Sequence, residues 1–412
     1  MEDKSAIPRI RRGLRILASN GANLLRKVRL PEAGEDETES APQVSNEEGG
    51  DWTSVVDTKD IHAIVRKHND SEAYDEYRRL WKESYDLGDV PDYPIQLDFE
   101  LNYSCNFRCP MCTWSAESTK GMGKETWFDF EVFKEVITDG VSKGLKVVRL
   151  NYINEPLIRK DVIKYINFAR QAGVLDVYFS TNGSLLDEKI SRELINSGLT
   201  RIQISLDAAT DETFKKIRVS NYSLEQILSK VERFIDIRDN EVQVDLPTLR
   251  VNFVKTEENK EELQQFINFW RDKADAIGIQ DLVNIIKPTV ENRSENIRSF
   301  KCSQPFNHLV IRYNGAILPC CTFFGAELPI ARLKSKKKPD IQYSKKRNVG
   351  MDKSPLIQAK ELAQLLTQSI EEAWMSDQIQ FLREIHRKGE YWKHPVCKKC
   401  VESSSHHDET QG

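Results

Sequence analysis

Apolar and polar positions change their period along the chain, and this change marks out a large central region. From about residue 93, short runs rich in β-branched and aromatic residues alternate with amphipathic stretches of helical period. The predicted strands are IQLDFELN, KVVRLNYI, DVYFSTNG, RIQISLDA and LRVNFVKT, and a sixth is expected in LVNIIKP. Helices are predicted between them, for example FDFEVFKEVITDGVSKG. The alternation predicts an α/β fold, a partial (β/α)6 TIM-like barrel with its chemistry at the carboxyl ends of the strands.

The segments before this region, which we place at residues 93–295, have a different pattern. Residues 1–57 are predicted to be disordered, basic at first and then acidic, and residues 58–92 to form a helical lead-in. Basic and apolar residues are interleaved before position 32. That pattern fits either a loosely ordered tail or an amphipathic helix that touches a membrane surface or a partner.

Residues 296–405 are predicted to form a second, smaller domain, because the alternation of strands and helices stops there. This domain contains the hairpin-like run HLVIRYNGAILPCC, a helix near 370–388 and a basic insertion over 328–360. The insertion fits a solvated loop, although it could also contact phosphate groups.

Composition and charge narrow the class of protein. Of the 412 residues, 39% are apolar and 30% are charged, and the formal net charge is −4. The near balance of charge argues against a nucleic-acid coat protein. No apolar run approaches the roughly 20 residues of a transmembrane helix, and the start of the chain lacks the apolar core of a signal peptide. We therefore expect a cytoplasmic protein, in which cysteines are more often metal ligands or catalysts than disulfides.

The eight cysteines are confined to three places in the sequence. They are Cys105, Cys109 and Cys112; Cys302, Cys320 and Cys321; and Cys397 and Cys400. Cysteines that only fill a core would be scattered, whereas such clusters gather thiolates around a metal centre.

The first cluster reads Cys105-Asn-Phe-Arg-Cys109-Pro-Met-Cys112 and follows the first predicted strand. Three thiolates in a tight loop can hold three corners of an iron–sulfur cube and leave the fourth iron open, whereas structural zinc normally has four protein ligands. The loop resembles that of the radical S-adenosylmethionine (SAM) superfamily, although Met111 stands where the family often has an aromatic residue. The resemblance implies a [4Fe–4S] cluster that binds SAM and cleaves it reductively to a 5′-deoxyadenosyl radical.

Two further strand ends resemble elements of the same family. Asn154 and Glu155, followed by proline, resemble its Gly-Gly-Glu-Pro element, which implies that they bind the methionine amino group of SAM. Ser180 and Asn182, followed by glycine, resemble its ribose-contacting turn. The alternatives are a glutamate that caps a helix and ordinary turn chemistry.

The fourth strand carries a third element of this kind. Ser205, Asp207 and Arg218 fit the family series in which a serine faces SAM and an arginine pairs with its carboxylate. Asp207 could contact the substrate or cap a turn.

The remaining cysteines are spaced as in an auxiliary cluster domain. Seventeen residues separate Cys302 from Cys320, and Cys397 and Cys400 form a CX2C knuckle. They resemble the SPASM and shorter twitch extensions of radical SAM enzymes. Five cysteines cannot fully ligate two clusters, so we expect one auxiliary [4Fe–4S] cluster held by Cys302, Cys320, Cys397 and Cys400. Cys321 is left over as a buried neighbour, an alternative ligand or a reactive thiol. A four-cysteine zinc ribbon is the competing interpretation.

The resemblance implies a radical SAM oxidoreductase that abstracts hydrogen from a small polar molecule, such as a sugar, cyclitol or nucleotide-linked sugar. The auxiliary cluster would accept the electron, and the partners would be the small-molecule substrate and an electron donor such as flavodoxin or ferredoxin. A nucleic-acid partner is not expected. Asp207, Tyr313 and His308 are the available candidates for a catalytic base. The alternatives are a peptide- or protein-modifying maturase of the same superfamily and a non-enzymatic zinc scaffold.

Overall fold

The computed structural model describes residues 44–45, 53–112, 127–282, 300–322, 326–336 and 366–403. The strands of this part of the chain are β1 (Val44–Ser45), β2 (Thr53–Asp57), β3 (Gln96–Phe99), β4 (Val147–Arg149), β5 (Asp176–Thr181), β6 (Arg201–Ser205), β7 (Thr248–Lys255), β8 (Ala276–Asp281), β9 (His308–Ile311), β10 (Ala316–Leu318), β11 (Ala331–Leu333) and β12 (Thr367–Gln368). The helices are α1 (Ile61–Lys67), α2 (Ser71–Tyr85), α3 (Phe130–Ser142), α4 (Val162–Ala172), α5 (Glu188–Ile195), α6 (Asp211–Ile217), α7 (Leu224–Asp236), α8 (Leu263–Trp270), α9 (Gln304–Asn307), α10 (Ile370–Trp374), α11 (Asp377–Arg387) and α12 (Pro395–Glu402).

Six parallel strands, β3 to β8, lie side by side in chain order and form the partial barrel that the sequence predicts. Each of the first five leads into at least one helix before the next strand begins. The outer faces of the strands pack on these helices, as where the rings of Phe99 and Phe133 meet edge to face at 4.8 Å between centroids. One apolar core therefore lies between the sheet and its helices.

The sixth parallel strand begins earlier in the chain than the sequence analysis placed it. It is β8, which precedes the run LVNIIKP, and of that run the structure describes only Leu282. The edge of β8 is covered by β2, which pairs with it antiparallel from Thr53↔Gln280 to Asp57↔Ala276. The prediction of disorder over residues 1–57 is therefore wrong for β2, and most of the remaining residues of that segment lie outside the described part of the chain.

The helical lead-in closes the amino-terminal end of the barrel. Helices α1 and α2 are capped at their amino-terminal ends by Asp60 and Asp70, each of which accepts a hydrogen bond from the backbone N–H three residues later. Tyr74 and Tyr77 of α2 are buried against Tyr178 of β5. The barrel is thus covered by these tyrosines at the amino-terminal ends of its strands.

The carboxyl-terminal cysteine region continues the same sheet. Strand β9 pairs in parallel with β3, from Gln96↔His308 to Phe99↔Ile311, and β10 returns antiparallel to β9. In the intervening turn, Gly315 has φ +81°, a backbone conformation that residues with a side chain rarely adopt. The predicted hairpin is present. Its two strands extend the barrel sheet and do not form a separate sheet.

Helices α10 to α12 pack against this extension. The indole of Trp374 donates to the Pro91 carbonyl, and the Arg383 guanidinium lies 4.0 Å from the centre of its ring. The Arg383 Nε donates to the Pro305 carbonyl at 2.9 Å, so one buried arginine joins α11 to α9. Most of the predicted basic insertion lies outside the described residues, and Arg332, on β11, is one of the few that are described. Among the described helices, none is long and apolar enough to cross a membrane.

Candidate active site

The inside of the barrel is polar. Alternate residues of the strands point inward and surround a cavity of about 490 Å³. Those that give it its polar character include Gln96, Arg149, Arg201, Gln203, Arg250 and Asn252. Buried parallel strands usually present apolar side chains on both faces, so this inner face indicates a binding site. The sequence analysis did not identify these residues, although their alternation with apolar residues was a visible signal.

The first cysteine loop lies where the carboxyl ends of the parallel strands border this cavity. Cys105, Cys109 and Cys112 all contribute to its wall. The Arg108 backbone N–H donates to the Val219 carbonyl at 2.8 Å. The ring of Phe107, which is buried, stacks on Tyr222 at 6.2 Å between centroids. These contacts fasten the loop to the segment that joins α6 to α7.

Burial favours the protonated form of the Cys105 and Cys109 thiols in the absence of a metal, because it raises their pKa. It raises the pKa of Cys105 to about 12 and also raises the pKa of Cys109, which the nearby Arg218 guanidinium opposes. Because a metal binds thiolates, a positively charged metal centre would have to displace these protons.

The spacing of the sulfurs suits iron–sulfur clusters better than single ions. Three thiolates on one zinc ion stand about 3.8 Å apart, given Zn–S bonds of about 2.3 Å. All eight cysteines belong to the described residues, and no three of their sulfurs lie within 4.8 Å of one another. A cube that holds each thiolate on a different iron tolerates the wider spacing. The donor set therefore fits the cluster, and the zinc interpretations lose support.

Glu155 joins three elements beneath the cysteine loop. Its carboxylate accepts hydrogen bonds from the Leu157 backbone N–H at 3.1 Å, the Thr181 hydroxyl at 2.6 Å and the Asn182 backbone N–H at 2.8 Å. Burial raises its pKa to about 7, and these donors oppose the rise. A carboxylate accepts about four hydrogen bonds, so most of this capacity is used within the protein.

Asn154 and Asn182 hold the two neighbouring strand ends to the chain around the cysteines. The Asn154 side chain donates to Asn102 Oδ1 at 2.9 Å, and that of Asn182 donates to Asn106 Oδ1 at 2.9 Å. Asn182 Oδ1 also accepts from the Ser184 hydroxyl at 2.6 Å. The polar side chains at these strand ends thus fix the shape of the site, and their predicted contacts with SAM remain predictions.

The serines that the sequence analysis selected lie on neighbouring strands of the same wall. The Ser180 hydroxyl donates to Gln203 Oε1 at 2.9 Å, and Ser205 lines the cavity one strand further along. Both side chains are half-buried. Their positions are compatible with the predicted contacts to SAM.

Asp207 and Arg218 form an ion pair beside Cys109. Asp207 is fully buried, and its Oδ1 accepts from the Val254 backbone N–H at 2.8 Å. An Arg218 nitrogen lies 3.7 Å from the Cys109 sulfur, and its Nε is buried without a hydrogen-bond partner among the described residues. Arg218 also lines the cavity, and the contact of its guanidinium with the SAM carboxylate remains a prediction. Asp207 is tied to the protein and is a poor candidate for a free base.

The second cysteine set converges in a small cavity outside the barrel wall. Cys302, Cys320, Cys397 and Cys400 line it with apolar neighbours. Thr322 accepts from the Cys400 thiol at 3.8 Å and lies 3.5 Å from the Cys320 sulfur. Burial raises the pKa of the Cys320, Cys397 and Cys400 thiols. The four cysteines that were predicted to hold one auxiliary cluster are thus brought together.

Cys321 does not share this cavity. Its thiol donates to Gln304 Oε1 at 3.1 Å and lines the barrel cavity instead, as does Thr322. One continuous cavity therefore extends from the first cysteine loop to residues that adjoin the auxiliary cysteines. His308, a predicted base candidate, also lines it, whereas Tyr313 stacks on Tyr103 and faces a separate cavity.

Comparisons with known proteins agree with this geometry. Residues 99–269 match the radical SAM superfamily, and residues 302–401 match SPASM, an iron–sulfur cluster-binding domain. A probable GTP 3′,8-cyclase of Metallosphaera sedula is 33% identical over 182 residues, which are 44% of this chain and 52% of that protein. One from Methanocaldococcus jannaschii is 27% identical over 43% of this chain and 55% of its own. The chain spans about half the length of these relatives.

Solved structures resemble the chain only at low sequence identity and with TM-scores below 0.5. BtrN in complex with AdoMet and 2-DOIA has a TM-score of 0.44 and 15% identity, covering 76% of this chain and 94% of that chain. Native anSMEcpe with bound AdoMet has a TM-score of 0.49 and 11% identity, covering 76% and 89%.

Proposed function

Because residues 99–269 match the radical SAM superfamily and residues 302–401 match SPASM, we propose that the chain is a radical SAM enzyme that oxidises a small polar substrate enclosed in the barrel cavity. These matches imply SAM, the [4Fe–4S] cluster that binds it, and auxiliary iron–sulfur chemistry. When bound, these groups supply a 5′-deoxyadenosyl radical that abstracts hydrogen and an acceptor for the electron that the substrate then loses.

The observation that carries the proposal is the continuity of the cavity. Cys105, Cys109 and Cys112 line it, and so do Cys321 and Thr322. Thr322 contacts two of the auxiliary cysteines through its hydroxyl. A substrate in this cavity would be close both to the site of hydrogen abstraction and to the electron acceptor. That arrangement favours net oxidation over a redox-neutral rearrangement.

The protein side chains bind and orient in this scheme. Arg218 offers a buried donor beside Cys109, suited to the carboxylate of SAM. Glu155 and Asn182 hold the strand ends against the cysteine loop. The tyrosines of α2 close the far end and exclude bulk water, which protects a reactive radical from side reactions.

The lining indicates the class of substrate. Guanidinium and amide groups, such as those of Arg149, Gln203 and Asn252, offer several hydrogen-bond donors to a bound molecule. A sugar, cyclitol or nucleotide-linked sugar provides matching hydroxyl and phosphate groups. The relatives named as GTP cyclases act on a nucleotide by name, which supports keeping nucleotide-linked substrates in the set.

The experiment is a deuterium-transfer screen. Anaerobically reconstituted protein is incubated with SAM, dithionite and perdeuterated sugars, cyclitols and nucleotide sugars, and 5′-deoxyadenosine is analysed by mass spectrometry. We expect deuterium in 5′-deoxyadenosine and a product two hydrogens lighter than the substrate. A product of unchanged mass would refute the oxidation. Transfer only from a deuterated peptide would instead support the maturase alternative.

A further inference from the structure

Three potential metal ligands meet at the wall of the barrel cavity, which two of them, His308 and Cys321, line. They are Asp98 of β3, His308 of β9 and Cys321 after β10, and one ligand atom from each lies within 4.8 Å of the other two. Among the residues that the structure describes, this is the one group with such spacing. The sheet creates it, because β9 pairs with β3 and β10 returns antiparallel beside β9.

Two of the three side chains have buried atoms without hydrogen-bond partners in the part of the chain that the structure describes. His308 is 3% exposed, and its Nδ1 lies 2.5 Å from Asn307 Oδ1, whereas its Nε2 has no hydrogen-bond partner among the described residues. Since an amide oxygen only accepts, Nδ1 carries the proton and Nε2 presents a lone pair. Asp98 is fully buried, and its Oδ2 also lacks a hydrogen-bond partner within the described ranges. Buried acceptors of this kind are costly unless a ligand satisfies them.

We propose that Asp98, His308 and Cys321 bind one zinc ion whose open coordination position faces the barrel cavity. A carboxylate, an imidazole and a thiolate are all zinc ligands, and three protein ligands with an open fourth position are the arrangement of catalytic zinc. Asn307 would hold the histidine in the required tautomer, as the second partner of a metal-binding histidine usually does.

The ligand spacing allows an ion with little movement. Bonds of about 2.0–2.3 Å place tetrahedral ligand atoms roughly 3.3–3.8 Å apart. The upper limit of 4.8 Å therefore requires two ligand atoms to approach each other by about 1.0–1.5 Å at most, which small side-chain rotations supply.

Arg149 is the neighbouring positive charge and limits what the ion can bind. Its Nη1 is 3.7 Å from Asp98 Oδ2, beyond hydrogen-bonding distance, and its Nε donates to Asn151 Oδ1 at 3.3 Å. A carboxylate and a thiolate together neutralise a divalent ion. An oxygen that is bound to the zinc ion and loses its proton would then be stabilised by the nearby guanidinium of Arg149. On the proposed function, that oxygen is a substrate hydroxyl, whose proton zinc makes easier to lose.

The test is a metal count on the holoenzyme. Protein reconstituted with iron and sulfide is exposed to zinc sulfate, desalted through EDTA and analysed by mass spectrometry for both metals. We expect about one zinc per chain in the parent and in the control His62→Gln, which changes a half-buried histidine of α1 outside the cavity. His308→Gln and Cys321→Ala should retain less than about a fifth of that zinc with unchanged iron.

X-ray absorption at the zinc edge of the parent supplies a measurement that does not depend on variants. One sulfur near 2.3 Å with nitrogen and oxygen neighbours near 2.0 Å is expected. A shell of four sulfurs would place zinc among the cluster cysteines and overturn the proposal. So would a parent without zinc, or zinc retained by folded His308→Gln protein. Iron content and SAM cleavage report on the radical function separately, so its failure would be recognised independently.

Discussion

Removing Arg312 should lower the free energy of unfolding by an amount that depends strongly on pH. Arg312 and Glu100 are both fully buried, and Arg312 Nε donates to Glu100 Oε2 at 2.9 Å. Glu100 also accepts from the Tyr313 backbone N–H at 3.4 Å. The pair joins the end of β3 to the turn after β9, and hence the barrel to the cysteine hairpin. Arg312→Met leaves a carboxylate in the interior without its counter-ion.

Protonation of Glu100 sets an upper limit to the stability that Arg312→Met can lose. Breaking a buried ion pair on one side costs about 3–5 kcal/mol. The carboxyl can instead take up a proton, which at pH 7 costs about 4 kcal/mol for a group with an ordinary pKa near 4.3. Burial already raises the pKa of Glu100, and Arg312 opposes that rise, so removing the arginine raises the pKa further. We therefore expect a loss of about 3–4 kcal/mol at pH 7, or roughly 3–5 °C in the thermal midpoint of a chain of this length.

The sign of the pH dependence follows from the same shift. In Arg312→Met the folded pKa of Glu100 lies above the unfolded value, so the folded state binds more protons between the two. Its stability therefore falls as pH rises through that window, and the penalty should shrink by about 1.4 kcal/mol for each pH unit below 7. The double variant Glu100→Gln/Arg312→Met, without a buried charge, should recover about 2 kcal/mol or more of the single loss.

Thermal unfolding of the anaerobic holoprotein between pH 5.5 and 7.5, with the two single variants and the double variant, measures these terms. Lys388→Met, which breaks the exposed pair with Glu384, is the control and should leave the midpoint unchanged. Additive single effects, within about 0.5 kcal/mol, would refute the reasoning, because they would mean that the two charges do not depend on each other. So would a penalty that is independent of pH.

The remaining predictions concern the two cysteine sets and the cavity wall. Replacing the three cysteines of the first loop by alanine should abolish 5′-deoxyadenosine formation while about four irons remain after reconstitution, and parent-rate SAM cleavage would contradict the assignment. Cys321→Ala should keep the full iron content, whereas Cys320→Ala should lose about half of it; the reverse order in an iron assay would exchange their roles. Gly278→Ala places a Cβ 2.5 Å from Asn252 Oδ1, so it should push that side chain into the cavity and uncouple SAM cleavage from product without loss of iron, as the ratio of 5′-deoxyadenosine to product would show.

The barrel could be predicted because its signals are local. Each of its strands and helices carries its own period, and the order of parallel strands follows the chain. The cysteine loop and the strand-end residues Glu155 and Asn182 were found for the same reason, since each motif is contiguous. The inward face was also visible in principle: Gln96, Asp98 and Glu100 alternate with apolar residues along the first strand.

Pairings between distant segments could not be predicted in this way. The short strand β2 joins β8 across more than 200 residues, and two adjacent valines in TSVVD are a weak signal for a strand. The parallel pairing of β9 with β3 has a similar separation. The proximity of Asp98, His308 and Cys321 depends on that pairing and on the antiparallel return of β10, so no spacing in the sequence could reveal it.

The pairing of β9 with β3 also determines how rigidly the carboxyl-terminal cysteine region is attached to the barrel. A module joined by a flexible linker would hold its auxiliary site at a variable distance from the substrate. Here the strand that leads into Cys320 and Cys321 belongs to a hairpin hydrogen-bonded to the first strand of the barrel, the strand that precedes the first cysteine loop. The distance between the two cysteine sets is therefore fixed by the backbone geometry of one sheet. Because His308 and Cys321 line the same cavity as Cys105, the carboxyl-terminal unit forms part of the wall of the active site.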